Sequence, residues 1–332
     1  MMLSTEVQAV LSFYALDVAA VQIDPVGNAG GWSGSRLWRI GDASRRELCL
    51  RRWPKEHPTK DRLRLIHDVL KAVSAELPIA ACPLPARHGA TFVEHGGHLW
   101  ELTPWLPGAA DYHLRPSRAR LRAAIAVLAR FHNLAARYET RSGAAPAVLD
   151  RQRQWTAMRD KGVALIERSL GTPLGKPIDD RAAGLLAAAS QALQRQAIIE
   201  SLAAIGDLLL QPAIRDIHQD HVLFTGDEVT GLIDFGALRI DTPLADIARL
   251  VGSLVGDDTA ERQFAVDAYS DVRPVSREAR RVVDLLDHSG VVLGALNWLM
   301  WLYVERRDMG PVQPIVNRLD GLVMRLHRIN AH

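Results

Sequence analysis

The stretch from Ile214 to Asp246 reads IRDIHQDHVLFTGDEVTGLIDFGALRIDTPLAD. Two short apolar runs, Val222 to Phe224 and Val229 to Ile233, flank Thr225-Gly226-Asp227, and this pattern predicts a β-hairpin. Asp216 precedes the first strand, and Asp234 follows the second where it runs out into Phe235-Gly236. A hairpin brings its two ends together, so both carboxylates are expected at one site. Hard oxygen ligands paired this way suit Mg²⁺, while a second carboxylate can orient a hydroxyl for phosphoryl transfer. Gly236 lets the chain turn sharply after the metal ligand.

On the N-terminal side of this hairpin, the first hundred residues read as strands with one helix. The Gly- and Ser-rich VGNAGGWSGSRLWRI of residues 26–40 predicts a tight turn between two strands. A strand over Glu47 to Trp53 stops at Pro54. A helix over Thr59 to Val73 follows, with Leu63, Ile66, Val69, Leu70 and Val73 at helical spacing. Two further strands, Ala90 to Glu94 and His98 to Thr103, surround Gly96-Gly97. From about residue 117 the chain turns mainly helical: Leu121, Ile125, Leu128, His132 and Ala135 share one face, and Ala-rich stretches near 181–208 predict more helices. After the hairpin come a helix near 243–255 and two more. The order is that of an α+β protein. Leu106-Pro107-Gly108 reads as the joint between a β-rich lobe over 1–105 and a larger, mainly helical lobe over 106–332.

Composition narrows the class without naming an activity. Of 332 residues, 48% are hydrophobic and 23% charged, which excludes wholesale disorder and suits two lobes. Lys and Arg total 40 against 38 for Asp and Glu, a net charge of +2 with no block of like charges, so no nucleic-acid footprint is expected. Cys49 and Cys82 cannot build a disulfide framework, which points to a reducing compartment. The start carries Glu6 and Asp17 and no basic leader, and the apolar run Val291 to Val304 is broken by Asn297 and too short to span a bilayer. The expectation is a soluble, cytoplasmic protein with no membrane partner.

The motif resembles that of the aminoglycoside phosphotransferase and choline kinase-like family, which shares the protein-kinase fold. That family carries His-Gly-Asp, four residues, Asn, a hairpin and then Asp-Phe-Gly or Asp-Trp-Gly. Here Arg215-Asp216, a four-residue gap, His221, the hairpin and Asp234-Phe235-Gly236 follow the same order. The resemblance implies a bilobal fold that uses ATP and Mg²⁺, with Asp216 as the catalytic acid and Asp234 and His221 at the metal. Gly30, Gly31, Ser33 and Ser35 sit where the family covers the phosphates, and Arg51 where a strand cation pairs with them. Thr103, Pro104 and Leu106 fall in the hinge that holds the adenine, where Pro104 still supplies a carbonyl. The acid at Asp246 anchors the catalytic loop in the family, and Thr242-Pro243 suits the start of a helix.

Three departures stand out. His221 replaces an amide oxygen ligand, Arg51 replaces Lys, and the helix over Thr59 to Val73 lacks the family's glutamate, with Ile66-His67 in its neighbourhood. An arginine without an acid partner would sit differently from the usual ion pair. The implied activity is transfer of the γ-phosphate of ATP to a hydroxyl of a small molecule of aminoglycoside, amino alcohol or sugar type. The alternative is a catalytically impaired nucleotide-binding pseudokinase acting as a regulatory or scaffold module.

Plainer readings compete at each position. Asp216 and Asp234 also suit turns. His218, Asp220 and His221 offer ligands for zinc and thus for a metal hydrolase. His132 reads as a core histidine. Gly290, Gly294, Asn297, Trp301 and Glu305 form either a substrate floor or a core helix with solvated ends, with Trp298 and Leu302 packing inward. Asp257, Asp258, Asp284 and Asp287 add acidity that would suit a cationic acceptor.

Overall fold

The computed structural model describes residues 2–17, 21–27, 34–42 and 46–331. The elements run in the order α1 (Met2–Leu11), β1 (Gln22–Gly27), β2 (Arg36–Gly41), β3 (Glu47–Arg52), α2 (Lys60–Ser74), β4 (Val93–His95), β5 (His98–Pro104) and α3 (Arg118–Ala135). Next come β6 (Arg141–Gly143), α4 (Pro146–Ala157), α5 (Val163–Ser169), α6 (Lys176–Leu193), α7 (Gln196–Ala203) and β7 (Leu208–Ala213). The hairpin follows as β8 (Val222–Thr225) and β9 (Glu228–Leu232). Then β10 (Arg239–Asp241), α8 (Leu244–Val255), α9 (Thr259–Ser270), α10 (Arg277–Leu299) and α11 (Val312–Ala331) close the chain.

Contacts group the chain into two units, Met1–Glu139 with Asp216–Arg239, and Thr140–Arg215 with Ile240–His332. In the first, an antiparallel sheet runs in the order β1-β2-β3-β5-β4. Alternation along β2 and β3 buries Trp38, Ile40, Leu48 and Leu50, which pack with Val7, Val10 and Leu11 of α1 and with Trp100 and Leu102 of β5. The rings of Trp38 and Trp100 stack at 5.4 Å. Helix α2 starts where the side chain of Thr59 accepts the Arg62 N–H at 3.3 Å, and it buries the apolar stripe read from its spacing.

The hairpin belongs to this first unit because its backbone is bonded there. Phe224 and Ala109 exchange both N–H···O bonds, at 2.9 and 3.0 Å, and the Leu232 N–H donates to Ile79 at 2.7 Å. Gly108 permits the first of these contacts: its φ is +101°, and a Cβ there would lie 2.8 Å from the Phe224 carbonyl oxygen. Leu106 to Gly108 therefore lies inside the first unit and carries a strap to the hairpin.

The second unit packs α6, α10 and α11 around Trp155, Leu185, Leu296, Leu299 and Leu319, with Trp298 and Leu302 buried as expected. Its three-stranded sheet has the order β10-β7-β6. Helix α1, helices α4 and α5, and this sheet were not expected from the sequence. The run LLLQPA of β7 has no alternation, and an apolar run of that length reads equally as strand or buried helix. Among the described residues three helices, not two, follow α8, and α8 begins at Leu244, directly after Pro243. Among the described residues, no helix is long and apolar enough to cross a membrane.

Candidate active site

Asp234 stands at the end of β9 with φ +61°, a left-handed backbone that is uncommon for a residue with a side chain. Its carboxylate receives two basic groups. Arg51 Nη1 donates to Oδ1 at 2.9 Å, and His221 Nε2 lies 3.7 Å from Oδ2. Burial pushes the Asp234 carboxyl up, but the charge and the hydrogen bond of Arg51 outweigh it and hold it below the ordinary range. Gly236 follows where a Cβ would meet the Trp53 ring at 2.7 Å, so the chain passes only because the side chain is absent.

Arg51 has acid partners, contrary to the expectation from α2. It lies directly opposite Glu101 in the β3–β5 register, and cross-strand neighbours share a face of the sheet. Arg51 Nε is 3.7 Å from Glu101 Oε1, and its guanidinium carbon is 4.6 Å from the centre of the Trp53 ring. Burial opposes the Arg51 charge, while Asp234 and Glu101 overcome it and hold its pKa above the ordinary value. The glutamate sought on the helix is thus on β5. The helix supplies His67 instead, whose Nε2 lies 2.7 Å from Glu101 Oε2 and whose Nδ1 lies 2.7 Å from the Thr91 hydroxyl. Sequence reading missed Glu101, His67 and Trp53 in these roles. The one available signal was the pairing of β3 with β5, which would have set Glu101 against Arg51.

His221 is oriented by its own loop. Its Nδ1 donates to the Asp216 carbonyl at 2.9 Å, so in the neutral ring Nε2 carries the lone pair on the side of Asp234. Burial, followed by the neighbouring His218, pushes the His221 pKa down and favours that neutral form. One imidazole nitrogen and one carboxylate oxygen can therefore hold a divalent cation, with a softer donor than an all-oxygen site provides. Water and phosphate oxygens ordinarily complete such a shell for Mg²⁺. The His218 ring lies against that of His221, centroids 3.8 Å apart and tilted by 42°, and His218 Nδ1 is 3.4 Å from Asp220 Oδ2. Among the described residues, no group of three His, Cys, Asp or Glu side chains could hold a metal, so the zinc reading gains no support.

A cavity of about 250 Å³ adjoins Arg51 and Asp234 within the first unit. Leu37, Cys49, Ile66, Leu70, Leu223 and Ile233 are among the side chains that give it apolar walls, and Thr103, Pro104 and Leu106 also line it. The Trp105 N–H donates to Glu47 at 2.9 Å, which makes the next pair, Pro104 opposite Leu48, a non-hydrogen-bonded one. The Pro104 carbonyl is consequently directed away from β3. Gly30, Gly31 and Ser33 lie outside the described residues; Ser35 is buried just before β2.

In the second unit, Asp246 is fully buried and accepts the Ile214 N–H at 2.6 Å and the Arg215 N–H at 2.7 Å. The next residue in the chain is Asp216. Arg215 has φ +74°, a left-handed conformation that ordinarily favours glycine, and its Nη1 lies 3.1 Å from Asp241 Oδ2. The acids read as a rim for a cationic acceptor are already engaged. Asp257 and Asp287 pair with Arg325 at 2.7 and 2.6 Å, and Asp284 and Asp287 pair with Arg262 at 3.0 and 2.8 Å. Asp258 caps α9 by accepting the Glu261 N–H at 3.0 Å. The network is closely packed: a Cβ on Gly252 would collide with Asp287.

The model of the phosphotransferase enzyme family matches residues 25–281. The chain belongs to that family. Solved structures agree in fold. An aminoglycoside phosphotransferase from Alicyclobacillus acidocaldarius is 16% identical, with 98% of this chain and 94% of that one covered and a TM-score of 0.62. An amicoumacin kinase in complex with AMP-PNP and Ca²⁺ is 11% identical over 97% of this chain and 92% of that one, with a TM-score of 0.64. A choline kinase from Cryptosporidium parvum is 10% identical over 97% and 94%, with a TM-score of 0.57. No curated protein matches the chain at a significant level. The likeness bears out the α+β, protein-kinase-like fold of this phosphotransferase-family chain.

Proposed function

We propose that the chain is a small-molecule kinase that moves the γ-phosphate of ATP to a hydroxyl group. The observation that carries this reading is the convergence of Arg51 and His221 on Asp234 beside an apolar cavity that Thr103 to Leu106 help to line. In this reading the Pro104 carbonyl accepts the amino group of the adenine and the Leu106 N–H donates to the ring. Arg51 neutralises phosphate charge, and the glycine-rich loop with Gly30, Gly31, Ser33 and Ser35 covers the phosphates. Asp234 and His221 hold Mg²⁺, which when bound offsets the charge on the transferring phosphoryl group. Asp216 accepts or orients the proton of the acceptor hydroxyl, and positioning with charge stabilisation supplies most of the rate. The acceptor pocket is assigned to the region after residue 106. An acceptor of amino sugar or amino alcohol type is supported by the fold neighbours alone, since Asp257, Asp284 and Asp287 are paired with arginines and Asp258 caps α9.

The test is ATP turnover against a panel of aminoglycosides, amino alcohols and sugars. Asp216→Asn is expected to lower kcat by about 100-fold or more. Turnover unchanged by that substitution refutes the assigned mechanism. A second reading, a nucleotide-binding pseudokinase, draws on the Asp234 carboxylate being held by Arg51 at 2.9 Å. It requires metal-dependent thermal stabilisation by ATP with no turnover on any acceptor.

A further inference from the structure

The buried face of α2 presents Leu63, Ile66, His67, Val69, Leu70 and Val73, and His67 is its one polar member. That histidine is 1% exposed and Glu101 is 6% exposed. A carboxylate at such depth is costly unless it is paired and hydrogen-bonded. Here both oxygens are used. Oε2 is 2.7 Å from His67 Nε2 and Oε1 is 3.7 Å from Arg51 Nε. Arg51 therefore has one side of its fork beside Glu101 in the sheet and the other bonded to Asp234, whose side chain is 38% exposed. The Trp53 ring backs the guanidinium at 4.6 Å. Without Glu101, the one acid left beside Arg51 among the described residues would be Asp234, the proposed metal ligand.

We propose that Glu101 is a positioning residue that holds Arg51 in place for nucleotide phosphate, and that His67 ties helix α2 to it. The acid that pairs with the strand cation has moved from helix to strand, and an imidazole keeps the helix in the linkage. Two features of the geometry support this. Glu101 reaches Arg51 through strand register, which is rigid, and the helix reaches Glu101 through a hydrogen bond whose far side is fixed by the Thr91 hydroxyl at 2.7 Å. Glu101 itself stands on the side of Arg51 away from Asp234 and contacts it at Nε, leaving the Nη1 contact to Asp234. The inference rests on the proposed kinase reading, in which Arg51 meets phosphate.

The experiment is calorimetric titration of ATP with Mg²⁺ into the full chain, together with steady-state kinetics on whichever acceptor turns over. Glu101→Gln, close in size to the native side chain, is expected to raise the Kd and KM for ATP about tenfold while the KM for the acceptor stays within twofold. A general loosening of the fold would move both constants. Adding His67→Glu to Glu101→Gln returns an acid from the helix side and is expected to recover at least half of the lost affinity. Should Glu101→Gln fail to fold by circular dichroism, His67→Leu provides the second arm: it removes the hydrogen bond, fills apolar space and is expected to weaken ATP in the same direction. ATP affinity within twofold of the unmodified chain in a folded Glu101→Gln or His67→Leu protein overturns the inference and leaves the kinase reading standing. A folded double variant no better than Glu101→Gln also overturns it. No binding of ATP by the unmodified chain overturns both.

Discussion

Asp246 offers the sharpest quantitative prediction. Its carboxylate is fully buried and accepts two backbone N–H groups, from Ile214 at 2.6 Å and Arg215 at 2.7 Å, immediately before Asp216. Hydrogen bonds to a charged group contribute about 1.5–3 kcal/mol each, so Asp246→Ala is expected to cost about 3–6 kcal/mol. For a unit of this size, each kcal/mol corresponds to about 2–4 °C, which gives a fall in Tm of about 6–24 °C. Asp246→Asn keeps one carbonyl oxygen but turns an amide toward the second N–H, and it should fall between the two. The assay is thermal unfolding followed by circular dichroism, paired with kinetics at a temperature where each variant is fully folded. There kcat should fall more than tenfold, because the backbone leading to Asp216 loses its anchor. A Tm within 2 °C of the unmodified chain, or a kcat within twofold, refutes the anchoring argument.

Two further outcomes follow from groups at the cavity. Glu101 titrates below the ordinary carboxylate range: burial raises it, and the His67 hydrogen bond and the His67 and Arg51 charges more than reverse that. A depressed native pKa contributes stability that is complete above the unfolded value of about 4.3 and is lost as pH falls through the native value. The stability gap between the unmodified chain and Glu101→Gln, measured by urea unfolding, should therefore be widest near pH 7 and shrink toward pH 3; an unchanged gap contradicts the pairing. Cys49 lines the cavity, and burial, only partly offset by Arg51, pushes its thiol up to about 11. With a free thiol near 8.5, its thiolate fraction at pH 8 is roughly 200-fold smaller, so iodoacetamide should label Cys49 about two orders of magnitude more slowly than free cysteine. Labelling of Cys49 at the free-cysteine rate refutes that environment.

Much of the architecture was legible because it is local. The spacing of Leu63, Ile66, Val69, Leu70 and Val73 located α2 to within a residue, and Thr225-Gly226-Asp227 located the hairpin turn. The elements that escaped detection lack such a pattern, as in the run LLLQPA of β7. At the site, Asp234 and His221 were picked out from motif order, and the structure brings them to 3.7 Å. The pairing of Asp257, Asp284 and Asp287 was not legible because one-dimensional charge counting does not register Arg262 and Arg325, which reach them from other helices.

The sequence alone determined that two acids bracket a hairpin, that a strand bearing Arg51 precedes the segment Thr103 to Leu106, and that helix α2 carries no glutamate. Those facts depend on residue identity and short-range spacing. Only the tertiary structure decided that Arg51 is nonetheless paired, because its partner is chosen by the register of β3 against β5 and by the depth at which His67 meets Glu101. Register is set by the packing of a whole sheet, and no local periodicity records it.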